Sequence, residues 1–416
     1  MKTREATFAF HKAAATASAR QGWIARAIQK RLSGFGRGRL TLTLPDGSQV
    51  ASTCHQDGPR ADIKFLRWRA LARVLLEGDL GLASSWISGD WTTSDLSAVF
   101  AFGIVNEDAL VASAKGMTPS RGINRIRHGL QRNSKRGSRR NISMHYDLGN
   151  AFYEQWLDDG MQYSSAIFSQ RHESLEEAQA HKLSNIAAMM NLPEEANVLE
   201  IGCGWGAVAE YLAREGHHVT GLTLSREQAQ YARKRLSDKG LAERASIEVR
   251  DYRDIDNTQY DRIVSIEMLE AVGVAYWPVY FSALRDALTD TGNAVVQVIT
   301  IGEEYYERYR NNPDFIQMHV FPGGMLPTKA NVEQQANRAG LTIVSSVHFG
   351  DSYRRTLAEW RNRFHKNWAA VAALGFDERF RRMWDYYLRY CEAGFQFGTI
   401  DVGLYKFVKE HESIRN

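Results

Sequence analysis

Cysteine is scarce: the 416-residue chain holds three, Cys54, Cys203 and Cys391. An odd count at wide spacing makes neither a disulfide framework nor a zinc site, and it fits a reducing compartment. No apolar run approaches the ~18 to 20 residues that a membrane-spanning helix needs, so an integral membrane protein is not expected. The opening residues, MKTREATFAFHKAAATASARQGW, are alanine-rich, but Glu5, Lys12 and Arg20 interrupt them and no continuous apolar stretch follows. They read as mature cytoplasmic sequence rather than a secretion signal. No internal repeat or low-complexity tract is present. With no zinc finger and no aromatic-interleaved stacking motif either, nucleic acid lacks a recognition element and is not expected as a partner.

What is present suits a folded chain of two domains: 44% hydrophobic residues, 24% charged, and a length beyond one ordinary core. The net charge of +4 conceals an asymmetry, because residues 1–141 hold 23 Lys and Arg against 10 Asp and Glu, while the remainder holds 29 against 38. The front of the chain is therefore the anion-seeking part. Within it, residues 121–141 (RGINRIRHGLQRNSKRGSRRN) carry eight basic residues and no acid. Such a run is either a solvated linker or a tether to anionic lipid, where each basic residue contributes roughly 1 kcal/mol.

Residues 38–53 alternate apolar and polar side chains around Pro45, Asp46 and Gly47, the pattern of a β-hairpin. Helical spacing of Ile63, Leu66, Leu71, Val74 and Leu75 predicts a helix over 62–78. Together these give a small N-terminal α+β domain over 1–120, a basic linker over 121–141 and a larger domain over 142–416. In that larger domain strand and helix patterns alternate. Strands are expected at 197–201, 217–223, 245–249, 261–266, 293–301, 341–347 and 401–408, with helices at 206–215, 225–239, 275–289 and 329–339. That alternation predicts a doubly wound, Rossmann-like α/β sheet.

The sharpest local signal is NVLEIGCGWGAVAEYLAREG, a strand, a turn containing Gly202, Gly204 and Gly206, then an amphipathic helix. Bare backbone lets a ligand lie close, and the helix N-terminus favours an anionic group. A dinucleotide site would call for an acidic residue at the end of the next strand, where this chain reads GLTLS. With Glu200 directly before the turn and DYRD then YDRIVSIEMLEAV after it, the combination resembles the S-adenosylmethionine-dependent class I methyltransferase fold.

HYDLGN, MQYSSAIF, VLEIGCGWG, GLTLSREQ, DYRD, EMLEAVG and FPGGMLP follow one another in the order found in cyclopropane-fatty-acyl-phospholipid synthases, including the mycolic-acid branch, and the chain resembles that family from about residue 62 to 410. The resemblance implies transfer of a one-carbon unit from S-adenosylmethionine to the cis double bond of an unsaturated acyl chain in membrane phospholipid, giving a cyclopropane fatty acid. It implies a cytoplasmic enzyme peripherally associated with the inner membrane surface, acting as a homodimer. Gly202, Gly204 and Gly206 would line the cofactor, Tyr163 and Ser164 would reach its amino-acid end, Thr223, Leu224 and Gln228 would sit by ribose and adenine, and Asp251 and Tyr252 beside the base. Family members hold a bicarbonate ion as the base that takes the surplus proton. Glu270 matches the essential carboxylate near it, Tyr353 its hydroxyl ligand, Ser165 a position that is often Cys, and Ile301 a backbone contact.

Two positions depart from the family pattern. Ala271 stands where EHVG has its histidine, and Ile299 stands where an HTIG-type motif supplies a histidine ligand. Gln297 lies two residues before Ile299, hence on the same strand face, so either it partly replaces the missing histidine or the base differs here. The altered pocket keeps a second product in play, a methyl-branched or methylene-bearing chain, because base position decides which proton leaves. FPGGMLP reads as a turn shaping an acyl channel, RRMWDYYLRYCEAGFQFG as a core or channel-lining helix, and His145 as a residue orienting the cofactor segment. Two other readings compete: methylation of a small soluble acceptor, since the fold alone does not fix the acceptor, and a lipid-surface binding protein without turnover.

Overall fold

The structure is a computed structural model and describes residues 22–53, 55–114 and 148–410. The basic segment 121–141, Cys54 and His145 lie outside the described residues. The chain divides into two compact units, Met1–Arg121 with Glu378–Ala393, and Gly122–Asp377 with Gly394–Asn416.

In the first unit β1 (Arg37–Thr43) turns back into β2 (Gln49–Ala51), and the two pair antiparallel as the expected hairpin. Asp46 fixes the turn by accepting hydrogen bonds from the peptide N–H and hydroxyl of Ser48, and Gly47 takes the positive φ of 86°. β3 (Gln56–Phe65) lies parallel to β1 and antiparallel to the short β4 (Trp91–Thr92), giving the order β2-β1-β3-β4. The helix expected over 62–78 begins only at Trp68, because Ala61, Ile63 and Phe65 alternate inward on β3 first. Asp90 is fully buried and gathers Arg67, Arg69 and Arg73 at 3.1, 2.7 and 3.4 Å. Residues Glu378–Ala393, read from sequence as part of the larger domain, group with this unit: Phe100 meets Tyr386 edge to face at 4.8 Å, and the Trp86 indole N–H donates to the Arg382 carbonyl.

The second unit is built on a seven-stranded sheet. Its strands are β5 (Asn197–Ile201), β6 (His218–Thr223), β7 (Ala245–Val249), β8 (Tyr260–Ile266), β9 (Leu288–Ile301), β10 (Leu341–His348) and β11 (Ile400–Lys409). Their order is β10-β11-β9-β8-β5-β6-β7. Five are parallel; β11 runs antiparallel to both β9 and β10, so the sheet is mixed rather than wholly parallel. Leu199, Ile201 and Ile263 enter the core on one face and Val198, Val264 and Val295 that on the other, which is why these strands read as continuous apolar runs. Ser174, Ser225 and Thr328 cap the helices Leu175–Met190, Arg226–Asp238 and Lys329–Arg338.

The chain leaves β5 towards β6 and β7 on one side, then returns to β8 and β9 on the other. A crevice opens at such a reversal, beyond the carboxyl ends of the strands. Every segment assigned above to cofactor or chemistry, from Gly202 to Ile301, lies at one of those ends.

Candidate active site

Gly202, Gly204 and Gly206 follow β5 with φ of 83, 51 and 84°, a region costly for side-chain-bearing residues. A Cβ at Gly204 would project into open space, while one at Gly206 would come within 2.9 Å of the Ala232 Cβ. The turn thus offers bare backbone on one side and packs tightly on the other. At the end of β6, the Thr223 hydroxyl donates to the Gln228 side-chain oxygen at 2.8 Å, and Ser225 anchors the Gln228 peptide N–H. Leu224 is half-buried in the same turn. Past β7, Asp251 pairs with Arg253 at 2.6 Å, and Tyr252 is buried with its hydroxyl unpartnered.

Glu200, the last acidic group before the glycine turn, is also buried, and its Oε2 has no partner. Burial pushes its carboxyl up to about 8. Unpartnered buried polar atoms call for a ligand or water; Glu200 supplies one directly before the glycine turn and Tyr252 another just past β7. The residues present therefore fit the cofactor.

On the opposite wall, Tyr163 sits among Tyr153, Trp156 and Trp360 with ring centroids 5.5, 5.4 and 5.3 Å away. Ser164 accepts a hydrogen bond from the buried Lys182 ammonium at 2.7 Å. Burial pulls that lysine down to about 8, against the carboxylates of Asp158, Glu267 and Glu200. The sequence reading did not single out Lys182. A lysine at helical spacing reads as surface, and only the fold turns it inward.

The hydrogen bonds around the expected carboxylate are arranged differently from the expectation. Ser165, Gln297 and Tyr353 do converge, but on Glu267 rather than Glu270. One Glu267 oxygen accepts the Ser165 peptide N–H at 2.9 Å and the Gln297 amide at 2.8 Å; the other accepts the Tyr353 hydroxyl at 2.7 Å. The Gln297 amide thus donates at this site, to a protein carboxylate. The donors are held rigidly. Thr356 and Ser352, on the helix Gly350–Lys366 that carries Tyr353, accept the N–H groups of Ala166 and Phe168 at 3.1 Å each, and Tyr353 stacks on Phe395 at 4.5 Å. Glu267 follows β8 at φ 50°, a left-handed conformation uncommon for a glutamate. Part of the residue reaches the surface, yet its carboxyl is enclosed: desolvation raises its proton affinity and the three donors pull it back down. Glu267 was not singled out from sequence; its one local signal is its place as an acid directly after β8.

Glu270 lies one turn further on. It accepts the Ile299 peptide N–H, its Oε2 is buried without a partner, and burial together with the charge of Glu267 pushes it up to about 8. Both effects favour its protonated form. Ile301 does not offer its N–H to an anion, because that group donates to the Pro327 carbonyl at 2.9 Å. FPGGMLP is tied to the site instead through Met325, whose N–H donates to the Glu270 carbonyl at 2.8 Å. The donors expected to hold bicarbonate are thus engaged within the protein, and the ion does not fit this arrangement. Among the described residues no group of His, Cys, Asp or Glu could hold a metal ion. Burial raises the Cys203 thiol well above its ordinary range, which leaves it inert.

Comparison with known proteins agrees with this geometry. The family described as mycolic acid cyclopropane synthetase matches residues 133–405. The tuberculostearic acid methyltransferase UfaA1 of Mycobacterium tuberculosis is 36% identical over 385 residues, covering 89% of this chain and 88% of its own. The cyclopropane-fatty-acyl-phospholipid synthase of Escherichia coli is 33% identical over 347 residues, 82% of this chain and 86% of its own. Among solved structures, the cyclopropane synthase MmaA2 of Mycobacterium tuberculosis superposes with a TM-score of 0.61 at 28% identity, over 65% of this chain and 98% of that one. The mycolic acid cyclopropane synthase CmaA1, complexed with SAH and CTAB, superposes at 0.60 over the same shares. With a glycine turn fit for the cofactor and a buried carboxylate beside it, the chain belongs to the mycolic acid cyclopropane synthetase family, S-adenosylmethionine-dependent enzymes that act on lipid chains.

Proposed function

We propose that this enzyme transfers the methyl group of S-adenosylmethionine to a carbon of a cis double bond in an unsaturated phospholipid acyl chain, and that it releases a methylene-bearing or methyl-branched chain. The observation that carries this reading is the Glu267 carboxylate, held by three donors beside the cofactor turn. When bound, the cofactor supplies an electrophilic methyl on a sulfonium. An unactivated alkene is a poor nucleophile, so transfer needs close alignment in a dry site. Tyr163, Trp156 and Trp360 supply an apolar wall for that purpose, and Gly202, Gly204 and Gly206 let the cofactor sit against backbone. The alkene π pair forms the new C–C bond and leaves a positive charge on the neighbouring chain carbon; loss of a proton from the methyl-bearing carbon then gives a methyl-branched alkene, whereas a 1,2-hydride shift that moves the charge onto the methyl-bearing carbon, followed by loss of a methyl proton, gives the methylene. Conversion of such a product to a saturated branch would be a separate reduction.

The departures at Ala271 and Ile299 and the glutamate at 267 support a branched product. So does the name of the Mycobacterium tuberculosis relative, a tuberculostearic acid methyltransferase matched over most of both chains. The retained Glu270, Tyr353 and Ser165, with the name of the Escherichia coli relative, favour ring closure as a second reading. Trideuteromethyl cofactor separates the products. Two labels with cyclopropyl ring-methine proton signals mean a ring, two with a vinylidene ²H signal a methylene, and three a methyl on an internal alkene.

We further place the enzyme at the cytoplasmic face of a membrane as a peripheral protein. No described helix is long and apolar enough to cross a bilayer. In the first unit, Leu66, Trp68, Leu75 and Leu76 are exposed near Arg67 and Arg69, a combination suited to the lipid interface. Vesicle co-sedimentation that weakens with salt would support this placement, and binding indifferent to anionic lipid would count against it.

A further inference from the structure

We infer that Glu267 is the enzyme's own general base, occupying with its carboxylate the place where relatives would hold bicarbonate, so that turnover needs no added anion. The inference rests on the acyl-methylation reading above and names the group that takes the proton.

A carboxylate and a bicarbonate present the same planar O–C–O edge to hydrogen-bond donors. Here the Ser165 N–H, the Gln297 amide and the Tyr353 hydroxyl, the donors available to such an edge, are all spent on Glu267 at 2.7 to 2.9 Å. Two further groups that could have held a free anion are lost to it: the Ile301 N–H donates to Pro327, and Ile299 has no polar side chain. A second anion entering the cradle would find no free donor among these and would face the negative charge of Glu267, which disfavours it twice. The backbone at Glu267 also bends into the left-handed region at φ 50°, a conformation that glycine adopts freely and glutamate rarely. A glutamate held there by three donors is placed for a purpose other than chain geometry.

The step balances without a co-reactant. After methyl transfer, the C–S pair remains on sulfur and the acyl chain carries one positive charge. A C–H bond of the methyl-bearing cation breaks, its electron pair closes a ring or forms a double bond, and the proton passes to a Glu267 carboxylate oxygen. The acid so formed returns its proton to water before the next turnover.

The test uses the full chain, S-adenosylmethionine and vesicles of cis-monounsaturated phospholipid, in buffer purged of carbon dioxide and again with added bicarbonate. The wild type should turn over at the same rate in both. Glu267→Gln should lose about 10²-fold or more in rate, the usual worth of a positioned base, while its cofactor affinity, read by calorimetry, stays within a few fold. Glu267→Gly relaxes the backbone and frees all three donors; it should be slow in purged buffer and recover saturably as bicarbonate is added. A separate readout needs no substrate: the ¹³C line of labelled bicarbonate should broaden with Glu267→Gly and not with the wild type. The proposal is overturned if the wild type slows several-fold on purging, if it broadens the bicarbonate line, or if Glu267→Gln keeps the wild-type rate. Should the wild type modify no acyl chain in any buffer, the acyl-methylation reading fails, and the bicarbonate line still reports on the cradle.

Discussion

Replacing Tyr353 by phenylalanine tests the cradle through proton affinity rather than through rate alone. The hydroxyl donates at 2.7 Å to one Glu267 oxygen, and it is one of the groups that pull the raised proton affinity of that carboxyl back down. A hydrogen bond to a charged group is worth about 1.5 to 3 kcal/mol. Each tenfold change in proton affinity corresponds to about 1.4 kcal/mol, so losing the donor should move the Glu267 titration upward by roughly one to two pH units. The ionised form is the active base, hence the acid limb of the kcat/KM profile should move to higher pH by that amount. The high-pH plateau should change by less than about tenfold, because the base that remains is intrinsically stronger. The assay is methyl transfer from labelled cofactor to phospholipid vesicles, measured across the pH range in which the protein stays folded. An unmoved acid limb would refute the assignment of Glu267, and a collapsed plateau with no shift would make Tyr353 itself the proton acceptor.

Glu270→Gln should stabilise the fold increasingly as pH rises. Burial raises the folded carboxyl to about 8 from an ordinary value of 4.5, so the contribution of the protonated acid is complete below 4.5 and is lost as pH climbs through about 8. Allowing for its partly exposed stem, the difference in unfolding free energy between variant and wild type should grow on the order of 3 kcal/mol over that window, in denaturant titrations at several pH values. A difference independent of pH would show that Glu270 is ionised at neutral pH. Lys182→Met removes the donor to Ser164 and leaves the buried carboxylates of Asp158 and Glu200 without their nearby cation. It should cost about 3 kcal/mol of stability, and a shift in the denaturant midpoint of less than a third of that would argue against a buried charge cluster. Gly206→Ala meets the Ala232 Cβ at 2.9 Å in a positive-φ position, so cofactor affinity by calorimetry should weaken at least tenfold. Unchanged affinity would mean that this turn does not contact the cofactor. Leu75→Ser with Leu76→Ser should reduce vesicle binding without changing cofactor affinity, since both side chains are exposed in the first unit; vesicle binding equal to wild type would remove this surface from the membrane interface.

Much of the second unit was legible because its strands are buried on both faces. Val198, Leu199 and Ile201, or Val295, Val296 and Val298, form apolar runs that only a covered sheet accommodates. Strand direction was not legible: period-2 burial is the same for either orientation, so the antiparallel setting of β11 had no local signature. The start of the helix at Trp68 was blurred because Ile63 stands at helical spacing from Leu66 and at strand spacing from Phe65. The grouping of Glu378–Ala393 with the first unit depends on contacts such as Phe100 with Tyr386, which no window of sequence contains. In the site, the glycine turn and the Thr223, Gln228, Asp251 and Tyr252 positions followed from motif order. The catalytic carboxylate did not, because its cradle is assembled from four distant segments. Motif order points to Glu270, whereas the Ser165, Gln297 and Tyr353 donors meet on Glu267, three residues earlier.

The most direct measurement follows the label itself. Purified protein is incubated with cis-monounsaturated phospholipid vesicles and cofactor carrying a ¹³C methyl group, and the phospholipid is then cleaved so that acyl chains and head groups are analysed separately by mass spectrometry and NMR. The account predicts ¹³C bonded to a carbon of the former double bond, with none in the head group. Label confined to a head-group nitrogen or a small soluble acceptor, with the acyl chains unchanged, would contradict it.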